Sequence, residues 1–172
     1  MNSILPLLVF FLVQSALAET KSYLVQFPAG HVVNFPKGGK DPETKKDSLT
    51  TSKFIITHTE GKSESSIKGV GGANESYKAP LIRIGNDRNV LNFLEAYPSS
   101  VMIWTIWLNN STSSDNPKLK RAAVSMHKTS ILIGERVGTY WGTAIDVDDA
   151  LNQGAANPLK KDAGFTVPKL PF

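Results

Sequence analysis

Three histidines, His31, His58 and His127, are the side chains of this sequence best suited to proton transfer or metal binding. None of them lies in an H-E-x-x-H motif or in another spacing typical of metal ligands. The chain has no cysteine, which excludes thiolate catalysis, and it lacks the G-x-S-x-G motif of a hydrolase nucleophile. We therefore expect no metal or other cofactor and interpret the histidines as polar residues on strand faces.

A nuclease-type site is the one catalytic alternative that the residue types allow. His58, Glu60, Arg83, Arg121 and His127 include candidates for an acid, a base and a cation that binds phosphate. Such residue types occur together in many basic domains. The sequence therefore favours a binding protein over an enzyme.

Two short stretches resemble ligand-binding loops only in part. Residues 69–74 (GVGGAN) contain no Gly-Lys-Ser/Thr, so we do not expect them to bind a nucleotide phosphate. Residues 146–152 (DVDDALN) carry three acids but lack the glycine and the glutamate of an EF-hand calcium loop. We interpret these acids as the cap and first turn of a short helix that ends at Gly154.

Three asparagines lie in glycosylation sequons. Asn74 begins Asn-Glu-Ser, and Asn109 and Asn110 begin two overlapping sequons in the sequence NNST. We expect only one of the two adjacent asparagines to carry a glycan. All three positions predict loops that are exposed to solvent.

Basic and aromatic side chains supply two further candidate sites. The stretch from 116 to 128 contains no acid, and its basic residues are candidates for binding a polyanion: Lys118, Lys120, Arg121 and Lys128. A solvated surface is the alternative explanation of this stretch. Tyr140 and Trp141 are candidates for stacking on a ligand such as a sugar.

Residues 1–18 predict a secretory signal peptide. An apolar run from Ile4 to Val13 is followed by Ala16-Leu17-Ala18, with small residues where signal peptidase accepts them. The run is shorter than the ~20 apolar residues of a transmembrane helix. We expect cleavage before Glu19, a secreted extracellular protein, and no transmembrane segment after cleavage.

Residues 19–172 have the length of one domain, which we expect to be secreted and rich in β structure. Strand-like alternation occurs in several short runs: 23–27, 31–35, 53–58, 81–84 and 122–127. The sequence predicts a mainly β, single-domain β-sandwich or barrel-like fold with one or two short helices. One helix is expected at 88–96 behind an Asp87 cap. The polar segment 36–52 is predicted to be a flexible loop.

The most apolar internal segment, residues 101–108 (VMIWTIWL), predicts a central strand. Alternation divides it into two apolar faces, with Trp104 on one and Trp107 on the other. We therefore expect the strand to be covered on both faces. Both tryptophans are then part of the core rather than a platform for a sugar.

The net charge of +4 is modest, and the motifs point to no reaction. We expect a secreted, N-glycosylated, cysteine-free protein of the effector, virulence or venom type. It would act outside the producing cell, without catalysis, on a protein partner or an extracellular glycan, and we expect no nucleic-acid partner. A carbohydrate-binding, lectin-like module is the main alternative. A membrane-active β toxin and a secreted nuclease are the others.

Overall fold

The computed structural model describes residues 18–38, 41–71, 74–85, 87–112, 114–130 and 134–152. Eight strands and one short helix follow one another in this part of the chain: β1 Thr20–Phe35, β2 Glu43–Thr59, β3 Glu64–Val70, β4 Lys78–Ile84, β5 Val90–Tyr97, β6 Ser100–Ser111, β7 Lys120–Ser130, β8 Gly134–Asp146 and α1 Val147–Asn152. Three predictions lie outside the described residues: nearly all of the signal peptide, the helix end at Gly154 and the irregular C-terminal tail. No helix in the described part is long and apolar enough to cross a membrane.

The strands form one closed antiparallel barrel. Each strand pairs with the next along the chain, and β8 pairs with β1 from Tyr23↔Asp146 to Phe35↔Glu135. Closure gives every strand two neighbours, and the shortest pairing is that of β4 with β5, from Ile82↔Leu94 to Ile84↔Asn92. The mainly β prediction is confirmed, and of its two alternatives the barrel is right and the sandwich is not.

Alternate residues of every strand fill the interior. On β1, Tyr23, Val25 and Phe27 point inward and are at most 6% exposed. A barrel of eight strands is just wide enough for such side chains to fill it. Trp104 of β6 lies in this core at 2% exposure, with its ring 5.3 Å from that of Phe54. The prediction that Trp104 is buried is confirmed.

The outward face of β6 departs from the sequence-based expectation. Val101 is 40% exposed and Ile103 is 39% exposed, while Trp107 is half-buried. The wall of the barrel is a single sheet, and no second layer covers it here. The prediction that this strand is covered on both faces, with Trp107 in the core, was therefore wrong for its outer face.

Residues 88–96 are not a helix. Strand β5 begins at Val90 and pairs with β6 through a tight turn at 98–99. Leu91, Phe93 and Glu95 point inward, a period of two that the apolar residues fit as well as they fit a helical stripe. Asp87 accepts a hydrogen bond from Asn89 N–H at 2.7 Å, which closes a turn instead of capping a helix.

The predicted flexible loop at 36–52 is shorter in the structure. Residues from Glu43 onward belong to β2 and pair with the second half of β1, for example Thr44 with Val33. Polar residues are compatible with a strand here because alternate side chains face solvent. On β1, the segment 28–30 is a bulge within one strand rather than a break between two.

The expected helix after residue 146 is present as α1. Asp146 Oδ1 accepts a hydrogen bond from Asp148 N–H at 2.9 Å, as a cap does. Asp148 and Asp149 occupy the first turn, where the helix dipole favours acids. Asp146, the last residue of β8, is thus also the residue that caps α1.

Candidate functional site

One end of the barrel opens into a cavity of about 590 Å³, which we call the mouth. It lies where β1, β3 and β5 begin and where β2, β4 and β6 end. Tyr23, His58, Leu91 and Leu108 line it. Its charged lining consists of four cations and two acids: Lys21, Lys62, Arg83, Arg88, Glu60 and Asp87. The cavity therefore combines an apolar wall with an excess of positive charge.

Three buried polar atoms on neighbouring strands have no hydrogen-bond partner among the described residues: His58 Nδ1 on β2, Ser65 Oγ on β3 and Arg83 Nη1 on β4. His58 and Arg83 line the mouth, whereas Ser65 lies in the wall beside it. His58 and Ser65 are directly opposite each other in the β2–β3 pairing. Each follows the inward-facing alternation of its strand, so the three side chains point into the same end of the barrel. Buried polar groups usually have hydrogen-bond partners, so these three atoms stand out as groups that a bound molecule or water would satisfy.

Arg83 is held in place without being neutralised. Its Nη2 donates a hydrogen bond to the backbone oxygen of Asp87 at 2.9 Å, and its guanidinium lies 5.6 Å from the ring centroid of Phe93. None of the ion pairs among the described residues includes Arg83. Burial lowers the pKa of Arg83, but a guanidinium stays charged at any physiological pH. The mouth thus contains a fixed, unpaired positive charge.

The same environment sets the protonation of His58 and Tyr23. Burial, and next the charge of Arg83, lower the pKa of His58 below its usual 6.5, so the imidazole is neutral at pH 7. Glu60 acts in the opposite direction and Lys21 in the same direction as Arg83. Burial, followed by the negative charge of Asp146, raises the pKa of Tyr23 to about 12. Its hydroxyl therefore keeps its proton.

The opposite end of the barrel, which we call the far end, carries a polar cluster that links β2 to β8. Asp47 Oδ2 accepts hydrogen bonds from Arg136 Nη2 at 2.6 Å and from the Tyr140 hydroxyl at 2.9 Å. Burial and the hydrogen bond to Asp47 raise the pKa of Tyr140. Arg136 Nε is buried without a partner, but its guanidinium is ion-paired, unlike that of Arg83.

A third polar group, Glu95, lies inside the barrel and is satisfied by the protein itself. Its carboxylate is 1% exposed and accepts hydrogen bonds from the Tyr77 hydroxyl and from Trp104 Nε1, the latter at 2.9 Å. Burial, and next the hydrogen bond that Tyr77 donates to Glu95, raise the pKa of Tyr77. Both carboxylate oxygens of Glu95 already have partners within the protein, and its role is structural.

The two predicted stacking residues lie on opposite sides of the barrel wall. Tyr140 points inward and is 3% exposed, whereas Trp141 points outward. Trp141 contacts His31 edge-on, with ring centroids 5.7 Å apart, beside the β1 bulge. A depression of about 550 Å³ at the bulge is lined by Trp141, His31 and Lys46. Tyr140 and Trp141 cannot stack on one ligand together, so a stacking role is a prediction for Trp141 alone.

The predicted polyanion-binding residues form no single cluster. Lys118 contacts Asp149 of α1, and Lys120 Nζ donates to the Pro117 oxygen at 2.9 Å. Lys128 is eight residues from Lys120 along β7, roughly 26 Å at ~3.3 Å per residue. Arg121 is exposed on the outer wall. The basic stretch therefore follows one side of the barrel and meets the acidic residues of α1 at Lys118.

The sequon asparagines differ in their surroundings. Asn110 is exposed near the end of β6, and Asn109 Nδ2 donates to Asn89 Oδ1 at 2.6 Å. Asn74 Nδ2 donates to Ser52 Oγ, an atom of a buried residue. Among the three, Asn110 offers its amide to solvent most freely. Glycan attachment at each stays a prediction.

Of the residues weighed for a nuclease, the structure brings together His58, Glu60 and Arg83 at the mouth. Arg121 and His127 face outward, and His127 Nε2 lies 3.8 Å from Glu135 Oε2 on the surface. Sequence analysis missed Ser65 and Tyr23. One signal could have found the cluster: a polar residue occupies the inward position at the end of consecutive strands.

The mouth offers hydrogen-bond donors and positive charge, and it offers no set of metal ligands. In the described part of the chain, no three His, Cys, Asp or Glu side chains are grouped so that they could hold a metal ion. Comparisons with protein-family models, with curated proteins and with solved structures give no match to this chain. The geometry of the mouth is therefore the feature of this chain that bears on its function.

Proposed function

We propose that this protein is a binding protein that holds a small molecule in the mouth of its barrel. The observation that carries the proposal is the group of unpartnered atoms on three successive strands, His58 Nδ1, Ser65 Oγ and Arg83 Nη1. Leaving a buried polar atom without a partner typically costs about 1–3 kcal/mol. A ligand with complementary groups would satisfy these three atoms and so remove this cost in free energy.

The shape of the mouth supports the same proposal. Its volume of about 590 Å³ lies within the ~300–1,000 Å³ typical of pockets for small molecules. A polar cluster around Asp47 links β2 to β8 at the far end, and the interior between the two ends is filled by core side chains. A ligand in the mouth would therefore remain near the entrance.

The setting that we propose is extracellular. The apolar N-terminal run with its cleavage site and the sequons support secretion and glycosylation, and a cysteine-free barrel needs no disulfide for closure. An effector or other host-interaction factor is the class that fits such a binding protein. In a eukaryotic secretion host, mass spectrometry should find Glu19 as the first residue and a glycan at Asn110; an intact N-terminus or unmodified sequons would contradict this setting.

Binding of a saccharide at Trp141 is the second candidate. The depression beside the β1 bulge, with Trp141 and His31 in edge contact, supports it. Sugars commonly stack on aromatic rings, but among the described residues that line the depression none has an unpartnered buried polar atom, and the nearby Arg136 is ion-paired. The mouth is therefore the favoured site.

NMR mapping distinguishes the two sites. A set of small fragments containing carboxylates, phosphate esters, amines, amides and simple sugars is added to ¹⁵N-labelled protein. We expect the strongest binders to shift the backbone amides of His58, Ser65 and Arg83 and to leave those of Asp47 and Arg136 unchanged. Shifts confined to Trp141 and His31, or no shifts at all, would contradict binding in the mouth.

A further inference from the structure

We propose that the ligand of the mouth is a small oxyanion, a carboxylate or a phosphate ester, that carries a short apolar body. The anionic head would lie against Arg83, His58 and Ser65, and the body against Leu91, Leu108 and the ring of Tyr23. This inference rests on the proposed binding function and adds the chemical class of the ligand and its orientation.

The unpartnered atoms select for hydrogen-bond acceptors. A guanidinium has donors only, so Arg83 Nη1 can be satisfied by an acceptor and by nothing else. The hydroxyl of Ser65 can donate, and a neutral His58 donates from Nδ1 in the tautomer that carries the proton there. A carboxylate or phosphate has several oxygens in one head group and can accept from all three residues. Hydrogen bonds between charged partners are about twice as strong as neutral ones.

The charge around the mouth selects for the same class. Four cations and two acids line the cavity, and Lys21 is already paired with Glu19 at 3.3 Å. The guanidinium of Arg83 is half-exposed, and its buried Nη1 has no such ion pair, so an anionic ligand would supply a counter-charge. An ammonium group would instead meet the like charge of Arg83 and would leave Arg83 Nη1 without an acceptor.

Burial around the mouth limits the size of the apolar body. Leu91 is 4% exposed and Leu108 packs against the core, so a small hydrophobic group can extend the packing that is already there. Phe93 is fully buried, and its ring lies beneath the Arg83 guanidinium at the inner side of the cavity. A long acyl chain cannot pass into the barrel, and the body is therefore about the size of one ring or a short branched chain.

Four matched probes test the proposal by isothermal titration calorimetry: benzoate, phenyl phosphate, benzamide and benzylamine. We expect benzoate or phenyl phosphate to bind at least tenfold more tightly than neutral benzamide, and benzylamine not to bind. The anion that binds more tightly shows whether the head group of the natural ligand is a carboxylate or a phosphate ester. Benzamide binding in the mouth as tightly as both anions would overturn the anion assignment while leaving the binding function intact. If none of the four binds, both proposals fail.

Variants of the unpartnered residues test the orientation. Arg83→Gln should lower benzoate affinity at least tenfold and Arg83→Lys should retain part of it, whereas Arg121→Gln, on the outer wall, should not change it. Ser65→Ala should weaken binding but raise the melting temperature of the empty protein, because it removes a buried hydroxyl that has no partner. Unchanged affinity in both Arg83→Lys and Ser65→Ala would overturn the assignment of the head group. So would a loss of stability in Ser65→Ala, which is what a purely structural serine predicts.

Discussion

At the scale of single residues, buried polar groups in this barrel fall into two kinds. Glu95 is satisfied on both oxygens by Tyr77 and Trp104, and such a network stabilises one arrangement of the core. Arg83 and His58 each retain a buried nitrogen without a partner. Glu95 has no oxygen left for a ligand, whereas Arg83 and His58 each have a nitrogen that a ligand can bind.

Trp104→Ala is expected to destabilise the protein strongly. The indole is 2% exposed, packs against Phe27 and Phe54, and donates to Glu95 Oε2. Truncation leaves a cavity and a buried carboxylate with one partner fewer, so we expect a loss of about 3–5 kcal/mol in the free energy of unfolding. Chemical denaturation followed by circular dichroism measures it.

Trp107→Ala is the matched control, because Trp107 lies on the same strand but faces outward and is half-buried. We expect it to cost about 1 kcal/mol, close to the range of surface substitutions. Equal losses for the two variants would contradict the different burial of the two faces of β6.

His58 predicts a loss of stability in mild acid. Its pKa in the empty protein lies below the usual 6.5, first through burial and then through Arg83. The unfolded chain therefore takes up this proton more readily, so stability is complete above pH 6.5 and falls as the pH drops from there to the folded-state pKa. Unfolding free energies of the wild type and of His58→Gln should diverge across that range, and parallel pH profiles would contradict the prediction.

At the scale of elements, periodicity predicted most strands because alternation is local. The runs at 23–27, 53–58 and 122–127 all lie within strands of the barrel. Residues 88–96 were assigned to the wrong element because their apolar spacing fits both periods, and pairing with β6 decides between them. The polar residues of 43–52 form a strand because β1 provides a partner, which is a tertiary effect.

Gly142→Ala tests the contact that closes the barrel. A Cβ at this position would lie 1.7 Å from the backbone oxygen of Gln26 on β1. The β1 bulge brings the two backbones this close, so the added methyl must push β8 away from β1. Overpacking of this kind typically costs about 1–3 kcal/mol, and the melting temperature should fall accordingly. Thr143→Ala, an outward neighbour, should melt near the wild type; a stable Gly142→Ala would argue against this close approach.

At the scale of the whole molecule, closure makes the two ends of the barrel different. The far end is tied by Asp47 of β2 to Arg136 and Tyr140 of β8, whereas unpartnered groups lie in or beside the mouth on three successive strands. One end is suited to stability and the other to binding. The exposed apolar residues Val101 and Ile103 lie on the outer wall and take part in neither group.

The mouth could be anticipated from the sequence only in part. The residue types predict His58 as a candidate acid or base and Arg83 as a candidate phosphate-binding cation, but the two are far apart in the chain and on different strands. Ser65 has no distinctive sequence context. The three come together because β2, β3 and β4 pair in one register, and a register is fixed by the whole sheet rather than by any local motif.

The pKa of His58, measured by NMR with and without benzoate, tests the central claim most directly. An anion bound beside the imidazole favours its charged form, so the pKa should rise on saturation with benzoate. The rise should be absent in Arg83→Gln, in which the anion loses its main partner. A His58 pKa that stays the same at saturating benzoate would contradict an anion in the mouth of the barrel.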